Sequence, residues 1–549
     1  MTVKPNDVGS FPDKFAEFRQ HQWKAVTDVL AAFNSGAKVV FLEAFTGSGK
    51  TLIAEAVRQI LAKDLQALYS CTTHTLQEQF VGDFEYSVEL KGKRNYLPTD
   101  VPPSMGITCD DCDLNQGQCS WCKTPDECSY RVQKEAAVRA KLAVINMPYL
   151  LAETKGAARM AGRELAILDE GDTTEEQLMK SVEIVLSPYL LKQLQIELPP
   201  VSGDPERWWP WMAGPLQSGL KLHMNYLTRT GNSMPRDSEE FLKHTRSVRS
   251  IKRKLDSLAN ILAGDPADWV YEGPSEKSKG RKNAKTYERI SIKPIKVESV
   301  AEEALWQHAE KFLVMSATFV SVDQTAYDLG LKRGEYASVV VDFAFPVDKR
   351  PIRFWNGVSY NRGTEQSGEA QADRDPKIQQ IVDWWPEDRI LIHSVSHKRT
   401  AEIVAALKTD RVVASFTDAR DRKDAIALYL ENEGSILVGA GLERGVDFPD
   451  DKCRVIIIAK IPWPNRGDKQ INARLTGKGG EQWYTMQTIR SLVQMTGRGM
   501  RHSGDWCVTY ILDGAYSTIR RSRWSGMIPD NWSKAIRYGA PKEKEPVRR

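Results

Sequence analysis

The chain has 549 residues, 27% charged and 41% hydrophobic, with a formal net charge of +4. That length exceeds one hydrophobic core and predicts about three or four domains, while so small a net charge excludes a uniformly basic chain and leaves room only for local basic tracks. No run of about 18 apolar residues and no apolar leader in MTVKPNDVGSFPDKF is present, so neither a membrane-spanning helix nor a secretory signal is expected and the expected location is cytoplasmic.

In chain order, the first apolar run is Val39–Leu42, continuous rather than alternating, as in a strand buried on both faces of a parallel sheet. It leads into AFTGSGKT (44–51) and then a helix with Ile53, Val57, Ile60 and Leu61 on one face. Strand, glycine-rich loop and helix together make a phosphate-binding loop. Thr46, Gly47, Ser48 and Gly49 would wrap phosphate oxygens with backbone N–H groups, and the helix N-terminus adds partial positive charge. Lys50 would reach the β- and γ-phosphates of ATP, and the Thr51 hydroxyl would bind Mg²⁺.

Five cysteines follow within twenty residues: Cys109, Cys112, Cys119, Cys122 and Cys128. In a cytosolic chain so tight a group reads as a metal site rather than as disulfides. Spacing alone fits zinc at least as well as an iron–sulfur cluster. Cys71, Cys453 and Cys507 stand alone in apolar stretches, as reduced core residues do.

LAILDEGD (165–172) is a second buried strand ending in Asp169 and Glu170. Acids at the carboxyl end of a parallel strand face the ligand crevice. Asp169 would hold Mg²⁺ through water, and Glu170 would orient the attacking water. From about 180 to 300 the pattern is helical, with Val248, Ile251, Leu255, Leu258 and Leu262 along one seam and few strand signals. The polar, basic PSEKSKGRKNAKT (274–286) reads as a loop. RWWPWM (207–212) reads as core of this insert, with base stacking by Trp208, Trp209 or Trp211 the less favoured alternative. Further strands are predicted at Phe312–Met315, Arg389–His393, Ile436–Gly439, Val455–Ala459 and Val508–Leu512. QMTGRGMR (494–501) places Arg498 and Arg501 three apart on one helix face, where both can point across a cleft at a γ-phosphate.

Taken together, these segments resemble superfamily 2 helicases, in particular the XPD/DinG group. FRQHQ (18–22) is similar to the adenine-reading segment, with Gln22 as base contact. TTHTLQEQF (72–80) is similar to motif Ia, which touches the DNA backbone. MSAT (315–318) resembles motif III, GLERGVDFPDD (441–451) motif V and QMTGRGMR motif VI. The short chain and the end of the cysteine segment are most similar to phage-type members, which would place the protein in a host cytoplasm. The resemblance implies an α/β fold: two RecA-like P-loop domains, with an iron–sulfur insertion and a helical, arch-like insertion in the first. Domain 1 would comprise 1–90, 141–180 and 301–345, interrupted by the cluster insertion at 91–140 and the arch-like insertion at 181–300; domain 2 would comprise 346–549. Gln494, Arg498 and Arg501 would act with Lys50, Asp169 and Glu170 in catalysis, and Asp447 would face the nucleotide.

For the cysteines, the resemblance implies a 4Fe–4S cluster, with zinc the alternative. Cys119, Cys122 and Cys128 match the later family positions. Relatives place the first ligand directly after a segment like KGKRNYLP (91–98), where this chain has Pro98. Cys112 is the favoured replacement, with Cys109 the alternative. Lys91, Lys93 and Arg94 lead into this insertion as candidate phosphate contacts. A second departure is DEGD in place of DEAH, in which Asp172 is expected to remove a link between the nucleotide site and motif III. The function implied is an ATP-dependent DNA helicase acting as a monomer on single-stranded DNA and forked or 5′-tailed duplex, moving 5′ to 3′. The competing readings are a translocase that strips protein or RNA from DNA, and a non-catalytic zinc-containing nucleic-acid-binding protein.

Overall fold

The computed structural model describes residues 4–547 apart from 102, 113, 116–117, 120–121, 123, 154–158, 200–202, 232, 236–237, 274–288, 342–344, 444–447, 501 and 503. Among the described residues, no helix is long and apolar enough to cross a membrane. The 274–286 loop, Asp447 and Arg501 lie outside the described residues, and of Cys119 only the backbone is described.

Two seven-stranded parallel sheets organise the chain. The first contains β1 (Val39–Glu43), β2 (Ala67–Cys71), β3 (Val88–Glu89), β4 (Leu142–Asn146), β5 (Arg163–Leu168), β6 (Ala309–Ser316) and β7 (Tyr336–Val340), in the order β7-β1-β6-β5-β2-β4-β3. The second contains β8 (Ile352–Phe354), β9 (Ile390–His393), β10 (Val413–Ser415), β11 (Ile436–Gly439), β12 (Val455–Ile458), β13 (Val508–Ile511) and β14 (Ile536–Tyr538), in the order β10-β11-β9-β12-β13-β8-β14. Strands such as VIII of β12 and ALYSC of β2 are buried at every position, because helices cover both faces of each sheet. These are two RecA-like lobes.

Between β3 and β4 the chain leaves the first sheet to build the cysteine-bearing insertion, which includes a small hairpin, Leu114–Asn115 with Gln118–Cys119. Between β5 and β6 it builds the second insertion. This insertion, expected to be helical with few strands, also holds a small sheet: Ile184–Leu186, Trp269–Glu272 and Ile290–Pro294 pair into a three-stranded antiparallel sheet. On the long helix Glu239–Leu262 the predicted seam residues Ile251 and Leu258 are buried and Val248, Leu255 and Leu262 partly buried, with Ile261 buried beside them. Trp208 is fully buried, and its ring lies 5.5 Å from that of Trp211 and 5.4 Å from that of Tyr271. Two of the three tryptophans are therefore core, not a base-stacking surface.

Candidate active site

The loop after β1 is shaped by two glycines and braced from outside. Gly47 and Gly49 both adopt φ of +84°, a left-handed backbone that suits glycine. A Cβ on Gly49 would also lie 2.2 Å from Gln22 Nε2. Gln22 donates from Nε2 to Ser48 O (2.9 Å), and Arg19 Nη1 donates to Gly47 O (3.3 Å). Gln22 thus reaches the loop itself. Lys50 opens the helix Lys50–Leu61 and turns its ammonium back over the loop, donating to Ala44 O at 3.2 Å. Ser48 Oγ is buried with no partner among the described residues. A curled loop with inward N–H groups, an overarching ammonium and a buried unsatisfied hydroxyl suits a phosphate chain.

Asp169 and Glu170 follow β5 at its carboxyl end. Tyr69 of β2 donates its hydroxyl to Asp169 Oδ2 at 2.8 Å, and Asp169 Oδ1 accepts from Glu170 N at 2.9 Å. Burial holds the Tyr69 phenol well above its ordinary value, so it remains a donor, and the nearby Thr51 side chain opposes that shift. Thr51 and Asp169 therefore lie about one hydroxyl, which suits two oxygen donors for a divalent cation. Glu170 has φ 50° and ψ 42°, a costly conformation for a residue with a Cβ. Thr72 donates its hydroxyl to Glu170 Oε2. Burial, with the two acids nearby, pushes the Cys71 thiol up to about 12, keeping it protonated beside them.

Asp172 joins the two lobes. Its Oδ1 accepts from Ser316 Oγ of the MSAT segment at 2.7 Å, and its Oδ2 accepts from Gln494 Nε2 at 2.9 Å. The expected loss of this link is thereby corrected, because a carboxylate has an acceptor oxygen for each side and both neighbours are donors. Gly171 is required beside it: a Cβ would lie 2.2 Å from Val314 Cγ1. Arg490, on the same helix as Gln494 (Gly480–Thr496), crosses between the lobes to Asp172 O (3.1 Å), Phe319 O (3.2 Å) and Thr325 Oγ1 (3.3 Å). Replacing Asp172 with alanine is expected to cost about 2–3 kcal/mol by removing the buried acceptor that Ser316 and Gln494 share, with Asp172→Asn costing less. Urea unfolding of the three proteins measures this.

Glu43 is a site residue that sequence reasoning missed. Its carboxylate accepts from Phe319 N at 2.6 Å and from Thr318 Oγ1 at 3.3 Å, tying the start of the phosphate loop to MSAT. Burial raises its pKa, with these bonds opposing. The available signal was an acid closing an otherwise apolar strand, VVFLE.

Beyond Gln494, Arg498 is half-buried and donates from Nε to Gln494 O at 3.3 Å. His393, at the end of β9, is fully buried, and burial together with the Arg498 charge pushes it down to about 3, so the ring is neutral. A second junction lies at Arg474, whose buried guanidinium meets Asp328 and, at 3.1 Å, Glu175 of the first lobe. Trp483 Nε1 donates to Glu175 at 3.2 Å.

Cys109, Cys112, Cys122 and Cys128 are all buried. Cys109 Sγ lies 3.7 Å from Cys128 Sγ, and hydrogen bonding with the Cys112 thiol leads the effects that pull Cys109 down to about 6. Of the two candidates for the first ligand, Cys109 therefore sits with Cys128 and Cys112 beside Cys109. The short turn Cys109–Asp111 is clamped by arginines of the helix Glu239–Leu262: Arg246 on Asp111 (2.6 and 2.9 Å), and Arg249 and Arg253 on Asp110 (3.5 and 3.6 Å). Arg94 pairs with Asp110 at 3.0 Å and Lys91 with Glu78 at 2.7 Å, so part of the basic approach is used within the protein. A separate group, Asp450, His502 and Asp505, lies in the second lobe, where Asp505 already accepts from Arg454 (2.5 Å) and Trp506 N (2.9 Å).

Residues 378–535 match the family described as the helicase C-terminal domain, and residues 15–107 match the one described as the res subunit of type III restriction enzymes. The ATP-dependent DNA helicase CHL1 of Saccharomyces cerevisiae is 28% identical over 176 residues, covering 27% of this chain and 20% of that protein. The Fanconi anemia group J protein homolog of Gallus gallus is 33% identical over 106 residues, covering 17% of this chain and 8% of that protein. The chain thus spans a fifth or less of these two relatives' length. Among solved structures, one titled XPD_Helicase superposes with a TM-score of 0.63 at 15% identity, covering 95% of this chain and 99% of the other. S. tokodaii Xpd4 gives 0.57 at 14%, covering 95% and 100%. With the phosphate loop, the acid pair and the Gln494 helix arranged across two RecA-like lobes, the chain is similar to the XPD/DinG-type superfamily 2 helicases.

Proposed function

We propose that the chain is an ATP-driven motor on single-stranded DNA that unwinds forked or 5′-tailed duplex, travelling 5′ to 3′. The observation that carries this reading is the Asp172 junction, where the acid segment of one lobe is hydrogen-bonded to MSAT and to the Gln494 helix of the other. A change at the phosphates can pass through it to the relative position of the lobes.

In this reading Gln22, Thr46, Gly47, Ser48, Gly49, Lys50 and Thr51 cradle the nucleotide from the first lobe. Gln494, Arg498, Arg501 and Asp447 complete the pocket from the second. Glu170 orients a water and takes its proton as the water oxygen bonds to the γ-phosphorus. The bond from that phosphorus to the β,γ-bridging oxygen breaks, releasing ADP and phosphate. Thr51 and Asp169 would hold Mg²⁺, which neutralises phosphate charge when bound. Four of the five clustered cysteines, drawn from Cys109 or Cys112 with Cys119, Cys122 and Cys128, would hold a 4Fe–4S cluster. Bound there, it crosslinks a small insertion with little core of its own. The insertion's short sulfur-to-sulfur distance and buried cysteines suit such a group.

The test is displacement of a labelled strand from duplexes with a 5′ or a 3′ tail, using anaerobically purified protein whose iron content and visible absorbance are recorded. ATP-dependent displacement from the 5′-tailed substrate, by a brown protein, is expected. Displacement from neither substrate, or a colourless zinc protein without ATP turnover, would refute the proposal.

A further inference from the structure

The loop between β2 and the helix His74–Asp83 faces in two directions. Inward, half-buried Thr72 donates its hydroxyl to the Glu170 carboxylate. Outward, Thr73, His74 and Thr75 are exposed at the start of this ten-residue helix. The same strand–helix unit also holds the other acid: Tyr69 donates to Asp169 and stacks on Phe80 of the helix, with ring centroids 3.8 Å apart and planes at 29°. Each acid is therefore held by a side chain from one unit whose outer end is open to solvent. Glu170, moreover, occupies a left-handed backbone conformation that a non-glycine residue keeps only when its surroundings impose it.

We infer that Thr72 is a positioning residue that restrains Glu170 until single-stranded nucleic acid occupies the outer end of its segment. The bond aims that Glu170 oxygen at Thr72 rather than at the water that would lie beside the γ-phosphate. A backbone phosphate drawn to the hydroxyls and N–H groups at Thr73–Thr75 would shift the segment and part Thr72 from Glu170. Glu170 would then take the proton of the attacking water as the bond to the β,γ-bridging oxygen breaks. This inference rests on the motor reading for its trigger, and on the Thr72–Glu170 contact alone for its restraint.

The experiment compares wild type, Thr72→Val and Thr72→Ser in steady-state ATP hydrolysis, with and without a saturating single-stranded oligonucleotide. Removing one hydrogen bond to a charged group predicts a DNA-free kcat about tenfold higher in Thr72→Val. Its DNA-saturated kcat and KM for ATP should stay within about twofold of wild type, so the stimulation ratio collapses. Thr72→Ser keeps the hydroxyl and is expected to behave as wild type, which separates restraint from packing. A DNA-free rate in Thr72→Val that is unchanged or lower overturns the inference. Should wild type hydrolyse ATP equally with and without the oligonucleotide, the motor reading falls. A raised DNA-free rate in Thr72→Val would still support the restraint.

Discussion

Lys50→Ala is expected to lower ATP hydrolysis about 10³-fold, the size of effect that follows loss of one preorganised charge from a water-poor phosphate site. Its ammonium lies over the mouth of the loop, donating to Ala44 O, where the terminal phosphates would sit. The loop does not depend on it for shape: Gly47 and Gly49 supply the turn, and Gln22 and Arg19 bind Ser48 O and Gly47 O from outside. The variant should therefore fold normally, with stability within about 0.5 kcal/mol of wild type, as for a substitution outside the core. Stopped-time phosphate release on both proteins checks the rate, and urea unfolding checks the fold. A variant that unfolds early would show that Lys50 supports the loop instead of the phosphates.

Arg474→Ala is expected to destabilise the protein by about 3–5 kcal/mol, the cost of removing one partner from a buried ion pair. The side chains of Arg474, Asp328 and Glu175 are 4%, 1% and 11% exposed, so solvent screens this group little. Truncation leaves two first-lobe acids facing each other without their cation. It also removes the guanidinium from above the Trp483 ring, 5.5 Å from its centroid. Lysine should restore only part of the loss, since a point charge cannot serve both carboxylates in the fork geometry of arginine. Urea titration followed by tryptophan fluorescence measures it. A shift under about 1 kcal/mol would mean that the lobes are joined elsewhere.

Much of the fold was legible because strands covered on both faces are continuous apolar runs. Val39–Leu42, Ile436–Gly439 and Val455–Ala459 announce β1, β11 and β12 within a residue. The antiparallel sheet of the second insertion was not legible. Its strands are short, and Ile184–Leu186 pairs with a strand about a hundred residues away, so tertiary contact rather than local pattern decides it. The site divides in the same way. The phosphate loop and the acid pair are local motifs. Glu43, Tyr69, Thr72 and Arg490 act through contacts 276, 100, 98 and 318 positions apart, for which one sequence carries no sign. Asp172 was misread for that reason: the change from histidine was visible, but the two donors waiting for it, Ser316 and Gln494, were not known to flank it.

On the proposed reading, one lobe builds the phosphate pocket and the other completes it. Single-turnover hydrolysis by Arg498→Ala tests this most directly, with ATP affinity measured alongside. An affinity within about threefold of wild type and a hydrolytic step slowed about 10³-fold are predicted, as for loss of an arginine finger. Hydrolysis at the wild-type rate without the Arg498 guanidinium would contradict the claim.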